Sequence, residues 1–323
     1  MNTSNDTNLI WGNLLHLSYN MWDDHVHPNP RDPYVMYEPF LRFDEGLWND
    51  LLQQMAQVGM NMVVIDLGDG VKYDSHPEIA VANAWTPEKL RGELAKMRSM
   101  GLEPIPKLNF STAHDAWLAE YSRMVSTPRY YEVCRDLIQE VCSLFDTPRF
   151  FHIGMDEETC GHQKDFEYVV VLQYDLWWHD LEFYIEQVEA GGSCAWVWSD
   201  YVWHHPERFY ARMPRSVLQS NWYYDLHFAI DPSHDVHHPV SLGHLQYHHA
   251  YLDLDAHGYT QVPTGSNWSL PENFEATVDF CKQHLSQEKL LGFLQTPWRP
   301  TLEACRQQHV EAIEQVGRAI QNW

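Results

Sequence analysis

Two adjacent carboxylates, Asp156 and Glu157, follow directly after an apolar run that ends in Phe-His-Ile-Gly-Met. Neighbouring side chains at the end of a strand point in different directions, so the two groups could serve different parts of one substrate. Carboxylates placed in this way can donate and accept protons. The same residues could instead begin a polar loop or cap the following helix. Their position after an apolar run favours the catalytic interpretation.

Similar polar and aromatic clusters follow the other apolar segments. Carboxylates can perform acid–base chemistry, tryptophan faces can stack on sugar rings, and amides and tyrosines can bind hydroxyl groups. This composition is typical of a carbohydrate site. The clusters are Trp22, Asp23 and Asp24; Asp66 and Asp69; Lys107 and Asn109; His152 with Asp156, Glu157 and Glu158; Trp198 and Asp200; Trp222, Tyr223 and Asp225; Asn267 and Trp268; Gln295 and Trp298.

Eight apolar segments alternate with amphipathic helical patterns, which predicts a parallel sheet. Eight units favour a closed (β/α)₈ barrel over an open sheet, and we expect one domain over residues 1–323. In such barrels the active site lies at the carboxyl ends of the strands. The predicted strand segments are 9–22, 60–69, 102–110, 149–158, 193–200, 216–225, 259–268 and 290–298. The helical patterns cover 44–59, 86–101, 127–145, 163–190, 243–258, 270–285 and 301–320.

Composition excludes several other classes of protein. The 323 residues include 21 Lys and Arg against 45 Asp and Glu, a formal net charge of −24, which argues against a nucleic-acid partner. No apolar run of about 18 residues is present, which argues against a membrane span. The first residues lack the pattern of a secretion signal and the cysteines lack C-x-x-C spacing, so we expect a cytoplasmic protein with reduced cysteines. No nucleotide fingerprint follows a strand, and we expect no cofactor.

The segment HIGMDEE (152–158) resembles the H-x-G-G-D-E motif of glycoside hydrolase family 20, the β-N-acetylhexosaminidases. MNMVVIDLGD (60–69) is similar to the second-strand pattern M-N-x-L-H-W-H-L-x-D, and IPKLNFSTAH (105–114) is similar, less closely, to the third-strand pattern I-P-E-I-D-x-P-G-H. Tyr223-Tyr224-Asp225 matches a Y-x-D pattern. The similarity covers most of the chain and implies a barrel glycosidase that acts on a carbohydrate.

The resemblance implies substrate-assisted catalysis, in which the 2-acetamido oxygen attacks the anomeric carbon and releases terminal β-linked N-acetylhexosamine or a derivative. Glu157 would protonate the leaving oxygen and then activate water, which requires a raised pKa. Asp156 would hold the acetamido N–H, and Tyr223 would donate a hydrogen bond to the acetamido oxygen. The residues expected to bind the sugar are Asp69, Asn109, His152, Trp198, Trp222, Asp225, Trp268 and Trp298.

Several positions depart from the family patterns. Met155 replaces the second Gly of the catalytic motif, and Asp66 replaces the second His of the second-strand pattern. Lys107 and Asn109 replace the third-strand Glu and Asp. The eighth-strand Trp298 lacks the Glu of the W-x-E pattern. The catalytic pair is kept while hydroxyl-binding residues differ, which favours a different sugar, substituent or linkage.

Two other function classes stay open. A metal-dependent barrel hydrolase or isomerase would use Asp156, Glu157 and Asp225 as ligands, and a chelator would inactivate it. A sugar-binding barrel without catalysis would not need an acid beside a polarising group. The histidines of segment 234–249 lack the H-E-x-x-H spacing, and we interpret them as surface residues that bind no metal. Lys107, if buried in its strand, needs a charged partner, and a carboxylate is the natural one.

Overall fold

Eight parallel strands form the centre of the structure. The computed structural model describes residues 9–26, 32 and 34–323. The strands are β1 (Ile10–His16), β2 (Met62–Asp66), β3 (Glu103–Lys107), β4 (Phe150–His152), β5 (Cys194–Trp198), β6 (Leu218–Ser220), β7 (Thr264–Gly265) and β8 (Gly292–Gln295). Their order is β6-β5-β4-β3-β2-β1-β8-β7, and backbone bridges from Gln219 to Gln261 and from Trp222 to Thr264 close the circle. The predicted (β/α)₈ barrel is confirmed.

Helices surround the strands and begin where the sequence offers capping residues. Thr86 accepts a hydrogen bond from the Lys89 N–H at 3.2 Å, and Gly59 ends the first helix with a φ of 93°. In the described part of the chain, no helix is long and apolar enough to cross a membrane. The helices are α1 (Glu45–Val58), α2 (Pro87–Ser99), α3 (Pro128–Leu144), α4 (Asp175–Ala190), α5 (Tyr201–His204), α6 (Pro206–Arg212), α7 (His249–Ala256), α8 (Asn273–His284) and α9 (Arg306–Asn322).

Five elements differ from the sequence-based expectation. The helix predicted over 163–190 begins only at α4, because the preceding segment is a loop in which Gln163 accepts the Val170 N–H at 2.9 Å. The helix predicted over 243–258 is restricted to α7, and the seventh strand to the two residues of β7. The short helices α5 and α6 were not predicted.

The barrel interior consists of stacked layers of side chains. A polar layer lies towards the carboxyl ends, at His16, Asp66, Lys107 and His152 of the first four strands, and all four side chains are buried. Lys107 Nζ contacts Asp66 Oδ2, so the expected carboxylate partner of Lys107 is confirmed. The apolar cluster of the interior comprises Ile10, Leu14, Met62, Val64, Ile105, Phe150, Trp196, Trp198, Leu218, Val262 and Leu294.

Candidate active site

A cavity of about 1000 Å³ opens at the carboxyl ends of the strands, where barrel enzymes place their chemistry. Its lining combines carboxylates and histidines with aromatic rings. Of the predicted site residues, Asn109, Asp156, Glu157, Trp222, Tyr223, Trp268 and Trp298 line the cavity, while Asp69, His152, Trp198 and Asp225 do not.

The turn that carries the two carboxylates has an unusual backbone. Gly154, Met155 and Glu157 have φ angles of 72°, 76° and 55°, in a left-handed region that residues with side chains rarely adopt. Glycine is required at 154 because a Cβ there would lie 2.0 Å from Asn109 Oδ1. The same oxygen accepts the Met155 N–H at 3.3 Å. Strain of this kind costs about 1–3 kcal/mol per residue and is characteristic of functional sites.

Asp156 is held as an anion. It is 6% exposed, and Asn109 Nδ2 donates to its Oδ1 at 2.9 Å. His114 Nε2 lies 3.5 Å from its Oδ2. Burial acts to raise the pKa of Asp156, but the charge and hydrogen bond of His114 and the charge of Lys107 hold that pKa well below its usual range. An ionised carboxylate in this place can accept a hydrogen bond from a substrate N–H.

Glu157 is the more accessible of the pair, with 27% of its side chain exposed. His114 Nε2 lies 3.1 Å from one of its carboxylate oxygens, and His162 Nε2 lies 3.3 Å from the other. Burial acts to raise the pKa of Glu157, but the hydrogen bonds from the two histidines outweigh it and lower the pKa. The raised pKa expected from the sequence is therefore not found in this structure, because two histidines stabilise the charged form.

His114 is a buried cation between the two carboxylates. Burial acts to lower its pKa, but its interactions with Asp156 and Glu157 raise the pKa from 6.5 to about 10. The imidazole is therefore protonated at neutral pH, and its Nε2–H points at carboxylate oxygens. The Nε2 atom that carries this transferable proton thus lies 3.1 Å from Glu157 Oε2.

Trp222, Tyr223 and Tyr224 follow β6 and alternate between two faces. Trp222 and Tyr224 stack with ring centroids 5.0 Å apart, whereas the Tyr223 hydroxyl donates to the His227 carbonyl at 3.0 Å. The Tyr224 hydroxyl accepts the Trp298 indole N–H at 2.9 Å. Burial raises the pKa of Tyr224, and the charges of Asp156 and Glu157 add to this effect. Of the two hydroxyls, that of Tyr224 interacts with the charges of Asp156 and Glu157, whereas the alternation directs that of Tyr223 to the His227 carbonyl.

Aromatic rings form much of the remaining wall. Trp298 has a φ of 47°, and its carbonyl accepts the Tyr19 hydroxyl at 2.7 Å. Trp22 packs edge-to-face on Tyr19 at 4.5 Å and on Trp298 at 6.4 Å. Trp268 lies at the rim and is 57% exposed. These flat apolar faces suit the faces of sugar rings, and Trp268 extends such a surface beyond the cavity.

Asp69 and Asp225, both expected to bind sugar hydroxyls, stabilise loops instead. Asp69 accepts hydrogen bonds from the Ser18 hydroxyl and from Asn20 Nδ2, the second at 3.0 Å. Burial raises the pKa of Asp69 to about 7. Asp225 Oδ1 accepts the N–H of Leu226 at 2.6 Å. Both carboxylates therefore bind loop residues around the site and do not line the cavity.

His152 and Trp198 lie beneath the cavity. His152 Nδ1 accepts the Gly154 N–H at 3.0 Å, which holds the start of the left-handed turn. Trp198 packs on His152 with ring centroids 4.3 Å apart and supports Trp298 at 5.9 Å. Since both side chains are buried, they position the residues above them rather than line the site.

One group of three side chains in the described ranges could share a metal ion. The donor atoms of His114, Asp156 and Glu157 lie within 4.8 Å of one another. Asp225, the third ligand of the metal-dependent alternative, lies outside the cavity lining. A metal-dependent enzyme would thus have to use His114 as its third ligand. The raised pKa of His114 favours the protonated imidazole, which cannot bind a metal through Nε2.

The histidine-rich segment 234–249 is partly buried, contrary to the expectation of surface residues. His234 Nε2 and Asp253 Oδ1 of α7 are 2.6 Å apart, and the ring of His234 stacks on that of His249 at 4.4 Å. His248 and His249 are fully buried. These histidines attach the long loop after β6 to α7.

The sequence patterns did not single out His114, His162 or Tyr224. A signal existed for two of them. His114 ends a segment similar to a family pattern that closes in His, although it comes one residue later, and Tyr224 lies two residues after Trp222 and so shares its face. His162 lies in an irregular loop, where no local pattern predicts its partner.

No family model and no curated protein sequence matches this chain. The fold is similar to that of solved structures. The exo-β-N-acetylglucosaminidase of Vibrio harveyi, in complex with N-acetylglucosamine, has a TM-score of 0.62 at 13% identity, over 96% of this chain and 54% of that chain. The N-acetyl-β-hexosaminidase of Streptomyces plicatus has a TM-score of 0.62 at 12% identity, over 96% and 64%.

A family 138 glycoside hydrolase that targets pectin rhamnogalacturonan II is also similar, with a TM-score of 0.59 at 11% identity over 96% of this chain and 39% of that chain. The chain thus spans less than two thirds of each of these structures. At such identities the likeness establishes the (β/α)₈-barrel fold that these carbohydrate-active enzymes share.

Proposed function

We propose that this protein is a glycoside hydrolase that releases terminal β-linked N-acetylhexosamine, or a substituted derivative, by substrate-assisted catalysis. The observation that carries the proposal is the pair Asp156 and Glu157 around the cationic His114, inside a cavity walled by aromatic rings. The shared fold with structures named N-acetylhexosaminidases supports it.

Asp156 and Tyr224 are suited to the acetamido group of the substrate. Asp156, kept ionised by His114 and Asn109, would accept the acetamido N–H and increase the nucleophilicity of the carbonyl oxygen. The Tyr224 hydroxyl accepts the Trp298 indole N–H, and its proton would be donated to that oxygen in place of Thr296 Oγ1, which lies 3.2 Å away. Placed donors of this kind contribute about 3–4 kcal/mol each to transition-state stabilisation.

The proton for the leaving oxygen would come from His114 through Glu157. Transfer along their 3.1 Å hydrogen bond gives a neutral imidazole and a neutral carboxylic acid. Substrate that covers Glu157 favours this neutral pair, since burial disfavours charge. Glu157 then protonates the leaving oxygen as the C–O bond breaks. It later takes a proton from the water that opens the oxazolinium ring, which restores the acid for the next cycle.

The test is hydrolysis of p-nitrophenyl β-glycosides of N-acetylglucosamine, N-acetylgalactosamine, glucose and galactose, with and without chelator. We expect the wild type to cleave an N-acetylated substrate in either condition, Glu157→Gln to be inactive, and Glu207→Gln, an exposed carboxylate on α6, to match the wild type. Activity that requires added metal would favour the metal-dependent alternative instead. Binding of the sugar without cleavage by any variant would favour a sugar-binding barrel.

A further inference from the structure

Asp200 is a buried carboxyl of the cavity wall that the proposed mechanism does not use. It follows β5 by two residues and is 9% exposed. Its Oδ2 accepts the backbone N–H of Glu157 at 2.9 Å, whereas its Oδ1 has no hydrogen-bond partner among the described residues. The only side-chain hydrogen bond of Asp200 among the described residues is therefore the one to the Glu157 backbone.

The bond from Asp200 continues the pairing of β4 with β5. The Ile153 N–H donates to the Trp196 carbonyl at 2.9 Å, and the Trp198 N–H donates to the Gly154 carbonyl at 3.0 Å. Beyond Gly154 the backbone turns left-handed and leaves the ladder. The acceptor of the Glu157 N–H is then a side chain, which Asp200 supplies.

Glu157 needs such an acceptor because its backbone is strained. Its φ of 55° is disfavoured for a residue with a Cβ, and such a conformation persists only where surrounding contacts fix it. The turn also determines where the Glu157 carboxylate lies relative to His114. A relaxed φ would move that carboxylate away from the Nε2–H that supplies the proton.

Burial, with the charges of Asp156 and Glu157, holds the pKa of Asp200 well above its usual range. This shift favours the neutral carboxyl, which keeps one oxygen as acceptor for the Glu157 N–H and has a proton on the other. An asparagine has the same shape and charge and offers the same acceptor to the Glu157 N–H.

We propose that Asp200 is a positioning residue that fixes the left-handed turn at Glu157 and thereby aims the Glu157 carboxylate at His114 and the cavity. The effect on turnover rests on the proposed function, whereas the effect on the turn does not. Asp200→Ala removes the acceptor, and Asp200→Asn keeps it.

The test measures two quantities on the intact protein. Exchange of the Glu157 amide hydrogen, followed by NMR, should be about tenfold faster in Asp200→Ala than in the wild type, because one buried hydrogen bond is lost. Hydrolysis of p-nitrophenyl N-acetyl-β-glucosaminide should lose about 100-fold in kcat with little change in KM, since a displaced catalytic group affects the chemical step. Asp200→Asn should stay close to the wild type in both.

Asp180→Ala is the matched control. Asp180 is a buried carboxyl of α4 that accepts hydrogen bonds from Ser126 and Tyr131 and does not line the cavity. It should lower stability without changing exchange at Glu157. Unchanged amide exchange in Asp200→Ala overturns the proposal. So does an Asp200→Asn variant as inactive as Asp200→Ala, which would make Asp200 a proton donor. If no glycoside is cleaved by the wild type, the proposed function fails, and amide exchange still decides the positioning role.

Discussion

Replacement of His114 by glutamine tests the charge arrangement at the centre of the site. His114 is 3% exposed and lies 3.1 Å from Glu157 and 3.5 Å from Asp156. Its pKa rises from 6.5 to about 10 on folding, and at 1.36 kcal/mol per unit this shift corresponds to about 5 kcal/mol. A glutamine can donate one hydrogen bond but has no charge, so it loses most of this interaction.

The sign of the pH dependence follows from linkage. The folded state binds the His114 proton more tightly than the unfolded state does. The stabilisation is therefore fully present below pH 6.5 and is lost as the pH rises through about 10. The free energy of unfolding of the wild type, measured by urea titration, should exceed that of His114→Gln most at the lower end of this window. The difference should shrink by about 5 kcal/mol towards its upper end.

His179→Gln, which replaces an exposed histidine on α4, is the control and should give a curve parallel to that of the wild type. Parallel curves for the wild type and His114→Gln between pH 6.5 and 10 would refute the reasoning. They would mean that the imidazole is not a cation between the carboxylates, and the proposed source of the catalytic proton would be lost.

Three further outcomes follow from other contacts. Lys107→Met leaves the charge of Asp66 buried without its partner. The free energy of unfolding, measured in urea, should therefore fall by about 3–5 kcal/mol. An unchanged free energy of unfolding would mean that Asp66 is neutral. In Gly154→Ala, the φ of 72° is disfavoured for alanine and the new Cβ would clash with a neighbouring side chain. Both kcat and the melting temperature should therefore fall. An unchanged kcat would show that the turn adapts. Tyr224→Phe should reduce kcat on an N-acetylated substrate about 100-fold and Tyr223→Phe much less, because the Tyr224 hydroxyl interacts with the charges of Asp156 and Glu157 whereas that of Tyr223 is bonded to the His227 carbonyl. The reverse order would restore the role expected for Tyr223.

The sequence predicts the barrel because its signals are local. Helix starts such as Thr86-Pro87 and stops such as Gly59 are determined by a few neighbouring residues, and these boundaries agree with the structure. The short β7 and the loop before α4 depend instead on which distant groups satisfy the backbone. Side-chain periodicity contains no information about such partners.

The assignment of Tyr223 shows a second limit. The Y-x-D pattern identifies the right segment, but a shift of one residue moves every side chain of a strand to the opposite face. Trp222 and Tyr224 share a face in any extended segment, so the register could have been inferred from the need for Trp222 to face the site. His114 and His162 could not be inferred in this way, because they reach Glu157 from two separate loops.

Two of the departures from the family patterns, Asp66 and Lys107, contact each other. Asp66 replaces a His of the second-strand pattern and Lys107 replaces a Glu of the third-strand pattern, and these two residues are register partners in adjacent strands. Their side chains form a buried ion pair, with the acidic residue on β2 and the basic residue on β3. The cation thus lies on β3, and its charge lowers the pKa of Asp156. Loss of either residue alone would leave an unpaired charge in the barrel, so each requires the other. This polar layer therefore contributes to the ionised state of Asp156, which the proposed mechanism requires.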